Sequence, residues 1–237
     1  MAEAGAARNA EHAGARTPTG AAEMPPQLRF IYLPLYRILK PLFRLYFGME
    51  HEGVEHLPSG GRYLIASNHL SMLDWAFLWY YLPLTTRFVI GRIHDEQIPI
   101  RALCRIIGPV PLSATQFDLG GSPFAHAVLS AGGPLIVFPE GGISRSGRPL
   151  LGRPGVIRLA AAAQVPIVPV ALRGPSEALP LGTFLPRRRR VAAVFGPPLP
   201  PPPTTLDRDG EIALANRLMM HISALLDGAP LPSPEWG

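Results

Sequence analysis

From residue 62 onward, short continuous apolar runs alternate with longer runs whose apolar positions recur at helical spacing. RYLIAS (62–67), RFVIG (87–91), PLIVFP (134–139), PIVPVAL (166–172) and RVAAVFG (190–196) predict strands. MLDWAFLWYYL (72–82), IRALCRII (100–107), the stretch after Gly120 and GVIRLAAAA (155–163) predict helices. The strand runs are apolar throughout rather than alternating, which fits a sheet covered on both faces. Strand and helix in turn define an α/β fold, with a mixed, mostly parallel central sheet flanked by helices. PPLPPPP (197–203) reads as a turn and extended segment, and a last helix runs to Gly228. No internal repeat or long linker divides the chain.

Ahead of these elements lies LRFIYLPLYRILKPLFRLYFG (28–48). Its length matches a bilayer span, but Arg29, Arg37, Lys40 and Arg44 oppose spanning. Arg37, Lys40 and Arg44 share one helical face, and Leu35, Leu39, Leu42, Phe43 and Tyr46 cover the other. Pro41 is expected to kink or split the helix. This pattern predicts an amphipathic membrane-associating segment over 28–48; a helix packed on the protein's own core gives the same pattern. Residues 1–27, rich in Ala, Gly and Pro with no apolar signal core, are expected to form a disordered leader. The expected organisation is completed by a domain over 49–228 and a flexible tail over 229–237.

Composition sharpens the picture. Hydrophobic residues make up 47% of the 237 and charged ones only 16%, with a formal net charge of +5. An apolar, cationic surface suits anionic lipid or phosphorylated ligands. The arginine run RRRR (187–190) is not interleaved with aromatics, which argues against nucleic acid as a partner. Lipid, a phosphorylated ligand or plain solvent remain open for it. A single cysteine, Cys104, rules out an intrachain disulfide and points to a reducing compartment. His94, Asp95 and Glu96 cluster, but no second cluster joins them, so no metal site is expected.

Candidate chemistry centres on SNHLSMLDW (67–75). His69 and Asp74 stand five positions apart, about 140° around an ideal helix, so they do not share a helical face. They meet if His69 lies in the loop before the helix and the chain turns back, with Asn68 in the turn, Ser71 as N-cap and Asp74 at N3. The carboxylate then fixes the imidazole tautomer, and the far nitrogen is free to take a proton. A capping acid beside a structural histidine is the other reading. The second stretch is PLIVFPEGGISRSG (134–147), where a buried strand runs into Glu140, Gly141 and Gly142. Glycines there let backbone N–H groups approach a ligand oxygen, and Arg145 and Arg148 add charge for an anion; a plain strand-to-loop turn is the alternative. G-x-S-x-G, H-E-x-x-H, a P-loop and G-x-G-x-x-G are all absent; GISRS (142–146) has Ser146 where the second glycine belongs.

NHLSMLD resembles the N-H-x-x-x-x-D block of the glycerolipid (1-acylglycerol-3-phosphate) acyltransferase superfamily, and FPEGGISRSG resembles its F-P-E-G-T-R-S block. IGPVPL (107–112) and VPIVPVAL (165–172) fall where its second and fourth blocks belong. The four occur in family order across roughly residues 30–200. The resemblance implies that fold, a peripheral place on the cytoplasmic face of a membrane, and transfer of a fatty acyl group from acyl-CoA or acyl carrier protein to a hydroxyl. No cofactor beyond that co-substrate is implied. It makes His69 the general base and Asp74 its orienting acid. Asn68, Glu140, Gly141, Gly142, Ser144 and Arg145 become residues expected to bind acceptor or acyl donor, and Pro169 belongs to the fourth block.

Two departures bear on the acceptor. Ser113 and Ala114 stand where the second block carries an acid and a phosphate-gripping arginine, and Gly142 and Ile143 replace Thr-Arg in the third. Neutral residues do not replace an arginine–phosphate contact. Arg145 matches the third block's second arginine, and Arg101, Arg105 and Arg153 are further candidates. The expected acceptor is a lysophospholipid-like hydroxyl, with a non-phosphorylated glycolipid or specialised metabolite as the alternative. A non-enzymatic lipid-binding protein is the reading of a different class.

Overall fold

The computed structural model describes residues 37–38, 40–83, 85–90, 110–111 and 119–236, with the side chains of 90, 110 and 111 aside. The leader, the helix expected over 100–107, His94, Asp95, Glu96, Arg101, Cys104, Arg105, Ser113 and Ala114 lie outside the described residues.

The strands are β1 (Glu50–Glu52), β2 (Leu64–Ser67), β3 (Arg87–Ile90), β4 (Val110–Pro111), β5 (Leu135–Val137), β6 (Ile167–Arg173) and β7 (Ala192–Phe195). The helices are α1 (Asp74–Trp79), α2 (Pro123–Ser130), α3 (Gly155–Ala163), α4 (Pro175–Ala178) and α5 (Arg208–Asp227). Among the described residues the seven strands form one sheet in the order β1-β7-β6-β2-β5-β3-β4. Every pairing is parallel except β6 with β7. Each expected strand is present.

Side-chain alternation explains the two apolar faces. Leu64, Ala66, Leu135, Val137 and Ile167 point to one side, where they meet Val128 and Leu129 of α2, Ile157 and Leu159 of α3, and Leu218 and Ile222 of α5. Ile65, Ile136, Val168 and Val170 point to the other and meet Phe77 and Leu78 of α1. Helices on both faces account for strands without polar positions.

The segment expected as a separate membrane element contributes to this second layer. Residues 40–47 are helical, and Phe47 is buried. The Phe47 ring lies edge-on to Phe77 at 5.1 Å, and Phe43 lies 5.3 Å from the same ring. The boundary expected at residue 48 therefore falls inside a packed aromatic cluster. Packing on the core holds for one face, through Phe43 and Phe47, while Leu42 and Leu45 on the other are 54% and 70% exposed. Among the described residues no helix is long and apolar enough to cross a membrane.

Within the segment expected as a flexible tail, Trp236 is held against the core. Trp236 packs on the α5 side of the core, and its indole Nε1 donates to Pro200 O at 2.6 Å. Gly228, with φ 68°, closes α5 as expected.

On α5, His221 is 2% exposed, and burial lowers its imidazole pKa below the ordinary 6.5. The unfolded chain takes up that proton first, so stability held above pH 6.5 falls as the pH drops below that value. Urea titrations at descending pH should show this loss, and His221→Leu should flatten it.

Candidate active site

β2 and β5 are parallel neighbours, with Ala66 opposite Val137. Their carboxyl ends release the chain at one sheet edge, where α/β proteins place ligands. His69 comes two residues after β2 and Glu140 three after β5, so register alone brings the two sequence blocks together.

His69 Nδ1 lies 2.8 Å from Asp74 Oδ2. The same carboxylate oxygen accepts the backbone N–H groups of Leu70 at 2.6 Å and Ser71 at 2.8 Å. These three donors fold residues 69–74 back on themselves, which resolves the awkward five-residue spacing. The carboxylate accepts only, so the imidazole proton sits on Nδ1 and Nε2 keeps its lone pair. The ring stacks on Phe138, with centroids 4.1 Å apart and planes within 15°, and its side chain is 19% exposed. Asp74 is fully buried and its Oδ1 has no hydrogen-bond partner among the described residues. Burial pushes its carboxyl pKa up, against the opposing pull of His69 and the two backbone donors.

Ser71 is not the helix cap that the sequence predicts. The N-cap of α1 is Leu73, without a side-chain cap bond. The Ser71 hydroxyl accepts from Leu73 N at 3.3 Å and donates to Leu179 O at 3.1 Å, tying the turn to the chain after α4.

Several residues expected to touch ligand are consumed by the scaffold. Asn68 is fully buried; its amide donates to Leu172 O at 3.0 Å and accepts from Leu172 N at 2.8 Å, splicing the end of β2 to β6. Glu140 is 4% exposed, and its two oxygens accept from His69 N and Leu150 N, each at 2.9 Å. Burial raises its carboxyl pKa. Ser144 is buried, with its hydroxyl donating to Arg148 O at 2.6 Å, while its N–H donates to His69 O at 2.7 Å. Gly141 N donates to Phe138 O at 3.0 Å, which leaves Gly142 as the glycine whose N–H has no partner among the described residues.

Gly141 is needed for a different reason. Its φ is +71°, and a Cβ there would stand 2.5 Å from Arg153 Nε. Arg153 crosses this bare backbone and its Nε donates to Glu140 O at 3.2 Å. Arg145 is exposed and free of side-chain partners among the described residues, so it keeps its expected availability for an anion. Phe138 is the residue that sequence reasoning passed over; its place between a buried strand and Pro139 was the available signal.

An apolar groove of about 790 Å³ opens nearby, lined by Leu42, Leu45, Tyr46, Leu73, Pro186 and Arg188 among others. Leu73 places its inner wall one residue from Asp74.

Fold and site together define an α/β protein with a carboxylate-held histidine at the carboxyl edge of a mostly parallel sheet. Residues 48–173 match the family model described as Acyltransferase, and the chain belongs to that family. A 1-acyl-sn-glycerol-3-phosphate acyltransferase of Limnanthes douglasii is 30% identical over 166 residues, 66% of this chain and 56% of the relative. An uncharacterized protein of Mycobacterium leprae is 28% identical over 176 residues, 68% of this chain and 45% of the relative. The chain thus spans about half the length of the curated relatives it matches. The crystal structure of the 1-acyl-sn-glycerophosphate (LPA) acyltransferase PlsC from Thermotoga maritima superposes with a TM-score of 0.68 at 20% identity, over 90% of this chain and 87% of that one. The shared fold is the mostly parallel sheet flanked by helices expected from the sequence.

Asn68→Ala leaves both main-chain groups of Leu172 buried and unpaired. It should lower unfolding free energy by about 2–4 kcal/mol in denaturant titrations, without touching a ligand-facing atom.

Proposed function

We propose that the chain is an O-acyltransferase that moves a fatty acyl group from the thioester of acyl-CoA or acyl carrier protein to the hydroxyl of a lysophospholipid-like acceptor. The observation that carries this is the 2.8 Å contact from His69 Nδ1 to Asp74 Oδ2, which leaves Nε2 of a partly exposed ring as the candidate base. Nε2 takes the acceptor's hydroxyl proton as the oxygen attacks the thioester carbonyl. The C–S bond then breaks, the imidazolium returns the proton to the leaving thiolate, and ester and thiol result. Asp74 stabilises the positive charge while it resides on the ring. The Gly142 N–H is the candidate donor to the tetrahedral oxyanion. The groove beside Leu73 has the volume and apolar lining for an acyl chain.

Arg145 supports a phosphorylated acceptor, and the names of the plant relatives agree. Gly142 and Ile143, in place of the family's Thr-Arg, favour the second reading, a non-phosphorylated glycolipid or metabolite hydroxyl. The apolar and basic N-terminal segment supports work at the cytoplasmic membrane surface, peripheral rather than spanning.

Radiolabelled acyl-CoA offered with a panel of acceptors tests the substrate. Lysophospholipids should be acylated faster than neutral glycolipids, and the opposite order would establish the second reading. In the same assay His69→Ala should cut turnover by about 10² or more while the melting curve stays near that of the parent chain. Full activity in that variant would remove His69 from the mechanism.

A further inference from the structure

After α4 the chain makes an excursion whose tip, Leu181 to Leu185, lines neither the catalytic turn nor the groove. Arg187 N donates to Ala178 O at 2.6 Å, pinching its base, and Pro180 O accepts from both Thr183 N and Thr183 Oγ1. The loop between carries its apolar residues outward: Leu181 is 49% exposed, Phe184 91% and Leu185 82%. Polar residues normally occupy such a tip. Beside it stands the helical stretch 40–47, with Leu42 and Leu45 exposed, and Tyr46 donating its hydroxyl to Pro186 O at 2.7 Å. Two segments 140 residues apart therefore meet at this contact, and each exposes apolar side chains.

Charge identifies what these side chains meet. Neither 37–47 nor 179–190 contains an acidic residue. Arg189 and Arg190 are paired with Glu177 and Glu50, at 3.9 and 3.3 Å. Arg187 and Arg188 are exposed and have no side-chain partner among the described residues. A projecting, nearly bare phenylalanine and leucine suit a deformable medium, since a rigid partner needs a complementary hollow. The unpaired guanidinium groups at the loop's base stand where lipid phosphates would be.

We propose that loop 181–186 is a wedge that inserts into the interface of an anionic bilayer, with Arg187 and Arg188 on the lipid phosphates and the exposed edge of 40–47 beside it. This rests on the membrane-surface part of the proposed function and adds a second contact to the N-terminal segment.

The test is flotation of the full chain with vesicles of phosphatidylcholine alone and of phosphatidylcholine with about one-third phosphatidylglycerol. The parent chain should float with the anionic vesicles. Phe184→Ser with Leu185→Ser should lower its partition by about tenfold or more on both compositions. Arg187→Gln with Arg188→Gln should lower it on anionic vesicles only. Transfer from a short-chain, water-soluble thioester without vesicles should stay within about twofold of the parent in the Phe184/Leu185 variant, because neither residue lines the catalytic turn. Phe184→Trp adds a direct readout, a blue shift of the new tryptophan on anionic vesicles. Unchanged flotation of the Phe184/Leu185 variant, or no shift in the Trp variant, overturns the wedge. So does a parent dimer that these serines dissociate without altering flotation, which would make the loop a contact between copies. Loop-dependent flotation in a chain that transfers no acyl group would leave the wedge standing and defeat the acyl-transfer reading.

Discussion

Asp74 is a carboxylate held fully inside the protein, and a charge taken out of water must be met by donors. Its Oδ2 meets three: the His69 ring, Leu70 N and Ser71 N. No straight helix brings residues 69 and 74 together, so the demand of that one oxygen sets the turn and, through the turn, the aim of His69. The bare Oδ1 matters as much. A buried acceptor short of donors interacts strongly with positive charge nearby, and the nearest group able to acquire one is the imidazole. The costly burial of this acid thus sets the geometry of the His69 ring and a field that favours positive charge on it.

Glu140 completes the arrangement from the other strand. Asp74 governs the His69 ring, whereas Glu140 governs its main chain, accepting from His69 N and Leu150 N. Ser144 N adds a third tie, to His69 O. The peptide groups on both sides of His69 are therefore held by a loop that starts from the next strand. Such double support suits a base whose reach must be set within a fraction of an ångström. It also explains the two roles of the glycine pair. Gly141 provides a left-handed bend and bare backbone for Arg153, and Gly142 is exposed.

The fold was legible because its signals are local. Uninterrupted apolar runs read as strands buried on both faces, and GVIRLAAAA coincides with α3. The pairing of His69 with Asp74 was legible only in part: the spacing excluded a shared helix face and allowed a returning loop, but the family resemblance was needed to choose it over a capping acid beside a structural histidine. What misled was the assignment of tasks to polar residues. Asn68, Glu140 and Ser144 stand in the expected blocks, yet their side chains satisfy Leu172, His69, Leu150 and Arg148 main-chain groups. Those partners lie up to 104 residues away, and spacing along one strand carries no information about them. Ser71 was misread for the same reason: its partner is Leu179, across the fold. The N-terminal segment divided between two readings because a helix pattern shows an apolar face without showing what covers it.

Ser71 also joins the two halves of the functional argument. Its hydroxyl reaches from the catalytic turn to Leu179 O, one residue beyond the Ala178 carbonyl that closes the base of the exposed loop. On the other side of the same turn, Leu73 forms part of the groove whose outer wall includes Leu42, Leu45 and Pro186. Acyl chains are poorly soluble, so an enzyme that draws them from a bilayer benefits when the path stays apolar until the reacting carbon. Here His69, the Gly142 N–H and Arg145 belong to the turn and loop that follow β2 and β5, while the apolar groove is lined from 40–47, Leu73 and Pro186. Under the proposed acyl transfer, that division would keep the head of a substrate with Arg145 while its tail stays out of water.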